Sequence, residues 1–311
     1  MKSLAIALAG TALLGLSACN AVNYGVPGKP DVTHPAVDGT VFTIVFENEN
    51  AQDALDPQKA PYFYELSQKW GNSEAYVSDT HPSLVNYIIM TSGKPNGIES
   101  NDDPRSNHQI PGKEHLAEQL DEAGVKWRAY MEDMETPCRM ASTDLYAARH
   151  NPFVYYTSLT DDFDRCADRV VDYDEHFEAD LDSGEYKYMW ITPNTCNDMH
   201  DCDAKVAGEW LEKVVNRIME TPAYKNGGAI FILFDEGEIR IADVDANIAA
   251  IVISPRLVEP GYSTDTYFDH RSYLATIEDI FEMPRLPTTV TATPMSEFFI
   301  TDEEWAAAQA K

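Results

Sequence analysis

The sequence has few basic residues, few cysteines and no long apolar run. It carries 23 lysines and arginines against 52 aspartates and glutamates, a formal net charge of −29 at pH 7. This acidity makes nucleic acid and an anionic membrane surface poor electrostatic partners. Five cysteines occur, and none has the Cys-x-x-Cys spacing that would favour a cysteine metal site. No internal repeat or low-complexity tract is evident, and the 311 residues suffice for one large α/β domain.

The first apolar segment, residues 4–16, is too short to span a membrane. It follows Met1-Lys2 and therefore has the form of a signal peptide. It ends in Leu-Ser-Ala-Cys at 16–19, which resembles the bacterial lipobox. The resemblance implies a signal peptide at residues 1–18 and a lipidated Cys19, with plain secretory cleavage after Ala18 as the alternative.

The N-terminal features predict an exported protein that touches the membrane only through its lipid anchor. Asn20, in place of Asp, favours the outer membrane or another periplasm-facing or cell-surface location. Residues 19–39 contain three prolines and three glycines and are interpreted as the anchor and a tether. The catalytic domain is then expected over 40–300, followed by a tail or a final helix at 301–311.

Four cysteines remain once Cys19 is set aside. An even number in an exported protein implies disulfides, and four cysteines allow three connectivities. We favour the local pairs Cys138–Cys166 and Cys196–Cys202, because the second pair closes a tight loop.

Two uniformly apolar runs each end in a pair of oxygen ligands. Residues 41–46 lead into Glu47-Asn48, and residues 229–234 lead into Asp235-Glu236. Such runs are typical of strands buried on both faces of a parallel sheet, and ligands bind at the carboxyl ends of such strands. Three carboxylates and an amide converging there indicate a divalent metal, although Asp, Glu and Asn are also common turn residues.

Strands and helices alternate along the chain. This pattern predicts a doubly wound α/β fold, with a mostly parallel sheet and helices on both faces. Residues 132–185 have no clear pattern and are expected to be irregular. Helices are predicted at 61–70, 82–90, 113–123, 204–219 and 272–281, and further strands at 125–131, 186–192 and 248–254.

The motifs taken together resemble the bacterial and fungal phosphoesterase family of acid phosphatases and phospholipases C, which has an alkaline-phosphatase-like fold. The matching segments, in order, are Glu47-Asn48, His81-Pro82-Ser83-x-x-Asn86-Tyr87, Gly124-Val-x-Trp-x-x-Tyr130, His150-x-Pro-Phe153, Pro193-Asn-x-x-Asn-Asp-x-His200, Asp235-Glu236 and Ser272-x-Leu-x-Thr-Ile-Glu278.

The resemblance implies a role for each matching residue. The metal would be held by Glu47, Asn48, Asp235 and Glu236. Its identity stays open among Ca²⁺, Mg²⁺, Mn²⁺ and Zn²⁺. Catalytic histidines around the phosphoryl group would be His81, His150 and His200, and Asn197 and Asp198 would support them. His270, just before the Ser272 motif, is interpreted as a supporting residue that caps the helix beginning there or orients a ligand.

The chain departs from the family at the nucleophile. Characterised members have Ser or Thr on the first turn of the helix before Gly-Val-x-Trp, where this chain has His115. Three interpretations stay open. His115 attacks phosphorus itself, or it acts as base or ligand for a metal-bound water that attacks, or the hydroxyl of a different residue attacks. The hydroxyls considered are those of Ser83, Thr91 and Ser106.

The sequence therefore predicts an exported, metal-dependent phosphomonoesterase with a small phosphate-ester substrate. A phospholipase C-like phosphodiesterase is the alternative within the enzyme class. The missing hydroxyl at His115 also keeps open a non-catalytic surface lipoprotein that binds phosphate or a metal.

Overall fold

The computed structural model describes Pro35 and residues 37–106, 109–238 and 247–310. The predicted signal peptide, the lipid-attachment residue Cys19 and most of the tether lie outside the described residues. Within the described ranges, no helix is both long and apolar enough to cross a bilayer.

The core is one sheet, which has eight strands within the described ranges. The strands are β1 Val41–Phe46, β2 Gly71–Ser73, β3 Trp127–Met131, β4 Val170–Asp172, β5 Tyr188–Thr192, β6 Ala229–Phe234, β7 Ala250–Ile253 and β8 Ser263–Thr264. Their order is β4-β3-β5-β1-β6-β7-β2-β8. The first five of these are parallel to one another, whereas β7 is antiparallel to both β6 and β2.

Helices cover both faces of the sheet. Consecutive side chains of a strand point to opposite faces, and every residue of β1 is buried. Phe46 packs on Phe63 and Trp210, whereas Thr43, whose side chain points to the other face, forms a hydrogen bond with the Tyr273 hydroxyl. The helices are α1 Ala51–Ala54, α2 Pro61–Lys69, α3 Ser83–Ser92, α4 Leu116–Glu122, α5 Thr157–Thr160, α6 Phe163–Arg169, α7 Tyr173–Ser183, α8 Ala204–Glu220, α9 Pro222–Lys225, α10 His270–Ile280 and α11 Asp302–Gln309.

The prediction of an irregular segment at 132–185 was wrong. The segment contains α5, α6, β4 and α7, together with 3₁₀ turns at Ala148–His150 and Pro152–Tyr155. Side-chain capping starts α6 and α7, because Asp162 accepts from the backbone N–H of Arg165 and Asp172 from those of Asp174 and Glu175. Short helices with polar faces lack the long apolar periodicity on which the sequence prediction depended.

Both predicted disulfides are confirmed. Cys138 and Cys166 are joined with their Cα atoms 5.5 Å apart, and Cys196 and Cys202 with theirs 4.7 Å apart. The second bridge closes the loop that follows β5. That loop lies at the same edge of the sheet as the ends of β1 and β6, because all three strands are parallel.

Candidate functional site

The two strand-end pairs meet at the carboxyl edge of the sheet. Glu47 and Asp235 follow the neighbouring strands β1 and β6 and are completely buried, and Glu236 is 5% exposed. Asn48 has a left-handed φ of 45°, which turns its backbone so that its N–H donates to Asp235 Oδ1 at 3.2 Å. The sequence prediction that these residues converge is borne out by this contact.

Three oxygens of the pairs are buried and have no hydrogen-bond partner within the described part of the chain: Glu47 Oε1, Asn48 Oδ1 and Asp235 Oδ2. Burial and the Asp235 and Asp198 carboxylates raise the pKa of Glu47 well above its ordinary value. Burial and Glu236 do the same to the pKa of Asp235. Buried acceptors without donors are costly, and a divalent cation among them would remove that cost. The residues present therefore fit a metal ion.

His150 lies beside Glu47. Its Nε2 is 3.2 Å from Glu47 Oε1, and its Nδ1 is 3.1 Å from Asp198 Oδ2. Burial holds the pKa of His150 well below its ordinary value, so the ring is neutral. Glu47, His150 and Asp198 place potential ligand atoms within 4.8 Å of one another, a group able to hold a metal ion.

Glu236 is held differently from the other carboxylates. Both of its oxygens have neighbours on the segment that precedes and begins α3: Oε2 is 3.0 Å from His81 Nδ1 and accepts from Asn86 Nδ2 at 3.0 Å, and Oε1 accepts from the Ser83 hydroxyl at 3.3 Å. Ser83 also donates to Glu47 Oε2 at 3.0 Å. The His81-Pro82-Ser83 motif thus contacts the carboxylates of Glu47 and Glu236 directly.

His200 lies at the rim. Its Nδ1 is 2.7 Å from Asp201 Oδ1, and its Nε2 is 3.2 Å from the Arg149 guanidinium. Its ring centroid is 5.7 Å from that of His150. His200 lines a cleft of about 360 Å³ with Asn48 and Glu236. This cleft therefore borders one residue from each of the two strand-end pairs.

His270 contacts the backbone of the acidic strand end. Its Nε2 donates to the backbone carbonyl of Asp235 at 2.7 Å, and its Nδ1 accepts from the Tyr76 hydroxyl at 3.1 Å. Asp269, not His270, provides the N-cap of α10. His270 therefore fixes the backbone of Asp235.

His115 has different surroundings. Its ring stacks on Tyr156 with centroids 3.9 Å apart, and its Nε2 is 2.9 Å from the Ser158 hydroxyl. Burial lowers the pKa of His115 to about 4. It borders a second cleft, of about 290 Å³, with Lys94 and Lys113 rather than the cleft of His200. The contacts that the structure gives to His115 include none with the acidic pairs.

The three hydroxyls considered as alternative nucleophiles lie in different surroundings. Thr91 donates within its helix and contacts the Tyr156 hydroxyl at 2.6 Å. The backbone N–H of Ser106 bonds to the Asp103 carbonyl in a loop turn. Among the contacts that the structure describes for Ser83, Thr91 and Ser106, those of the Ser83 hydroxyl are with the carboxylates of Glu47 and Glu236.

Sequence reasoning missed Glu132, which directly follows β3. It accepts from the backbone N–H of Asn194 at 2.8 Å, from Asn197 Nδ2 at 2.9 Å and from Trp210 Nε1 at 2.9 Å. Glu132 thus anchors the loop of Asp198, and it engages the amide of Asn197. Its position after a buried strand is the same pattern that identified Glu47 and Asp235.

Similarity to known proteins covers most of the chain. A model of the Phosphoesterase family matches residues 42–284. A phosphate-repressible acid phosphatase of Penicillium chrysogenum is 27% identical over 221 residues, 68% of this chain and 52% of that protein. A phosphatidylinositol-3-phosphatase of Mycobacterium tuberculosis is 24% identical over 260 residues, 83% of this chain and 82% of that protein. The chain spans about half the length of fungal relatives such as the first.

Solved structures share the fold. A protein of the alkaline phosphatase superfamily from Vibrio parahaemolyticus superposes with a TM-score of 0.60, at 11% identity, over 87% of this chain and 75% of that one. A lipoteichoic acid synthase from Listeria monocytogenes gives a TM-score of 0.57, at 11% identity, over 88% and 78%. These likenesses confirm the predicted alkaline-phosphatase-like α/β fold.

Proposed function

The chain belongs to the phosphoesterase family, and we propose that it is an exported, metal-dependent hydrolase that cleaves small phosphate monoesters. The observation that carries this proposal is the set of buried oxygens on Glu47, Asn48 and Asp235 that have no hydrogen-bond partner within the described ranges. Such a set is costly in the absence of a cation. These three residues would hold the ion, which when bound polarises a phosphoryl oxygen as a Lewis acid.

The chain's own residues would position the ester and move its proton. His200 lines the cleft, and its neighbour Arg149 carries a guanidinium that is a suitable donor to phosphoryl oxygens. His81, 33% exposed at its side chain, is the accessible histidine beside Glu236 and is suited to protonate the leaving alkoxide. Its contact with Glu236 fixes the ring orientation that this transfer needs.

Monoesters are favoured over diesters. Relatives of the chain include proteins named acid phosphatase and phosphatidylinositol-3-phosphatase. The net charge of −29 would repel an anionic bilayer, which disfavours a phospholipase C-like activity. Export is supported by the N-terminal pattern and by the two disulfides, since disulfides persist in oxidising compartments.

The test is hydrolysis of p-nitrophenyl phosphate by the full chain, with and without chelator, beside bis-p-nitrophenyl phosphate. We expect faster cleavage of the monoester, loss with chelator and recovery when a divalent ion is returned. Asp235→Asn should reduce kcat/KM by about 100-fold or more, whereas Glu303→Gln, on exposed α11, should not change it. Faster diester cleavage would favour the phosphodiesterase. Absence of turnover with phosphate binding intact would favour the binding protein.

A further inference from the structure

His150 is held between two buried carboxylates, and its two nitrogens are in different situations. The contact from Nδ1 to Asp198 Oδ2, at 3.1 Å, is a hydrogen bond. Nε2 and Glu47 Oε1 are 3.2 Å apart, yet neither has a hydrogen-bond partner among the described residues. Because the Nδ1 contact has the geometry of a hydrogen bond and the Nε2 contact does not, we assign the ring proton to Nδ1, which leaves a lone pair on Nε2.

Two buried potential ligand atoms therefore lie 3.2 Å apart with no hydrogen bond between them. Glu47 is completely buried and His150 is 1% exposed, so solvent does not relieve the contact. The separation of 3.2 Å matches adjacent ligands of one cation, which lie about 3.0 to 3.4 Å apart when both bonds are about 2.1 Å long.

The orientation of the imidazole is fixed from several sides. Tyr87 stacks on it with an interplanar angle of 7° and centroids 5.5 Å apart. The Asp198 carbonyl accepts from the Glu47 backbone N–H at 2.9 Å, which ties the loop after β5 to the end of β1. A carboxylate that hydrogen-bonds the far nitrogen of a ligating histidine is the usual support of such a ligand.

We propose that His150 Nε2 binds the site's metal ion together with Glu47 Oε1, that Asp198 is the positioning carboxylate, and that the ion is a borderline transition metal such as Zn²⁺. The inference rests on the proposed metal-dependent function and names a ligand that the oxygen set predicted from the sequence lacks. Imidazole nitrogen suits Zn²⁺ and its neighbours, whereas Mg²⁺ and Ca²⁺ prefer oxygen.

Glu236 was predicted from the sequence as a metal ligand, but under this proposal it has a structural role. Its oxygens already accept from Ser83 and Asn86 and contact His81. It therefore connects the start of α3 to the site without binding the ion.

The first experiment measures metal affinity, not turnover. The full chain is stripped with chelator and dialysed against Zn²⁺, Mn²⁺, Mg²⁺ or Ca²⁺ separately, and bound metal is quantified by mass spectrometry. We expect the parent to bind Zn²⁺ at least about 100-fold more tightly than Mg²⁺. His150→Ala should weaken Zn²⁺ binding by about 100-fold and Asp198→Asn by about 10-fold.

The matched control is His200→Ala, which removes a histidine of the same cleft that contacts Asp201 and Arg149. It should leave Zn²⁺ affinity within about threefold of the parent. Unchanged Zn²⁺ affinity in a folded His150→Ala, or equal losses in both variants, would overturn the proposal.

A second measurement needs no variant. X-ray absorption of the parent loaded with Zn²⁺ should show an imidazole in the metal shell, and a shell of oxygen alone would contradict the proposal even if His150→Ala fails to fold. Neither measurement reads hydrolysis. A protein that binds Zn²⁺ through imidazole but cleaves no ester would therefore refute the proposed function and leave this inference standing. A protein that cleaves the ester but binds Zn²⁺ without imidazole would refute this inference and leave the proposed function standing.

Discussion

Glu47 and Glu132 show how one residue type in one sequence context takes two roles. Each directly follows a buried parallel strand. Donors from Asn194, Asn197 and Trp210 satisfy the carboxylate of Glu132. Glu47 accepts from Ser83 through one oxygen, and its other oxygen has no hydrogen-bond partner in the described ranges. Glu132 is therefore structural, whereas Glu47 is suited to a cation.

The nucleophile can be tested by a pair of single changes. Ser83→Ala removes a hydroxyl that donates to both Glu47 and Glu236, and we expect kcat to fall by about 10- to 100-fold. His115→Ala removes a ring whose described partners are Tyr156 and Ser158, and we expect a smaller effect on kcat. Steady-state kinetics on p-nitrophenyl phosphate compares the two. The reverse order, with His115→Ala folded but inactive, would support attack by His115.

His115 should also make stability depend on pH. Burial lowers its folded pKa from 6.5 to about 4, so between these values the unfolded chain binds a proton that the folded chain does not. The free energy of unfolding should therefore fall as pH falls through this window, with a contribution of about 3 kcal/mol. This loss of stability is complete below about pH 4 and absent above about pH 7.

Urea unfolding at pH 7, 5.5 and 4 measures this dependence. His115→Gln should unfold with a shallower pH dependence than the parent. His176→Gln, at a half-buried position of α7, serves as the control and should keep the parental slope. If His115→Gln also keeps the parental slope, the burial argument for its pKa is wrong.

The loop after β5 is the element on which the site most depends. It supplies Asp198 and His200, and the Cys196–Cys202 bridge closes it at a sequence separation of 6. The Cys138–Cys166 bridge closes a much longer segment, at a separation of 28, that carries the α5 and α6 helices. The two bridges should therefore contribute differently to stability and to activity.

Removing each bridge by a double Cys→Ser change should separate these contributions. Loop-closure entropy predicts a loss of about 3.6 kcal/mol for Cys138–Cys166 and about 2.2 kcal/mol for Cys196–Cys202. Activity should follow the opposite order, because the shorter loop positions Asp198 and His200. Urea unfolding and kcat/KM are measured for both variants. The expectation fails if the Cys138–Cys166 variant loses more activity than the other while still folded.

At the scale of the whole molecule, metal binding and folding should be coupled. The two central strands β1 and β6 end in the carboxylates that the ion would neutralise, so removal of the ion leaves buried charges at the centre of the sheet. An ion at about 100 times its Kd stabilises the folded state by about 2.7 kcal/mol.

Chelator should therefore lower the Tm of the full chain by about 5 °C, and returning the ion should restore it. Calorimetry measures both steps. Asp235→Asn is the control, since its Tm should respond less to chelator than that of the parent. An equal response of the two proteins would place the stabilising ion elsewhere.

The sequence determined the central strands, and it favoured the disulfide pairs that the structure confirms. β1 and β6 occupy the predicted residues because an unbroken apolar run can only be buried on both faces, and polar residues end it. It also determined that Glu47-Asn48 and Asp235-Glu236 meet, because parallel strands bring their carboxyl ends to one edge. The helices and strands between 132 and 185 escaped prediction because their apolar patterns are short.

Only the tertiary structure decided which atoms at that edge have hydrogen-bond partners. Ser83 and Glu236 are 153 residues apart in the sequence, and His150 and Asp198 are 48 apart. No local pattern encodes such contacts, because they depend on how loops from different strands pack at the same edge. For the same reason the sequence could align His115 with the family's nucleophile but could not show that its ring stacks on Tyr156.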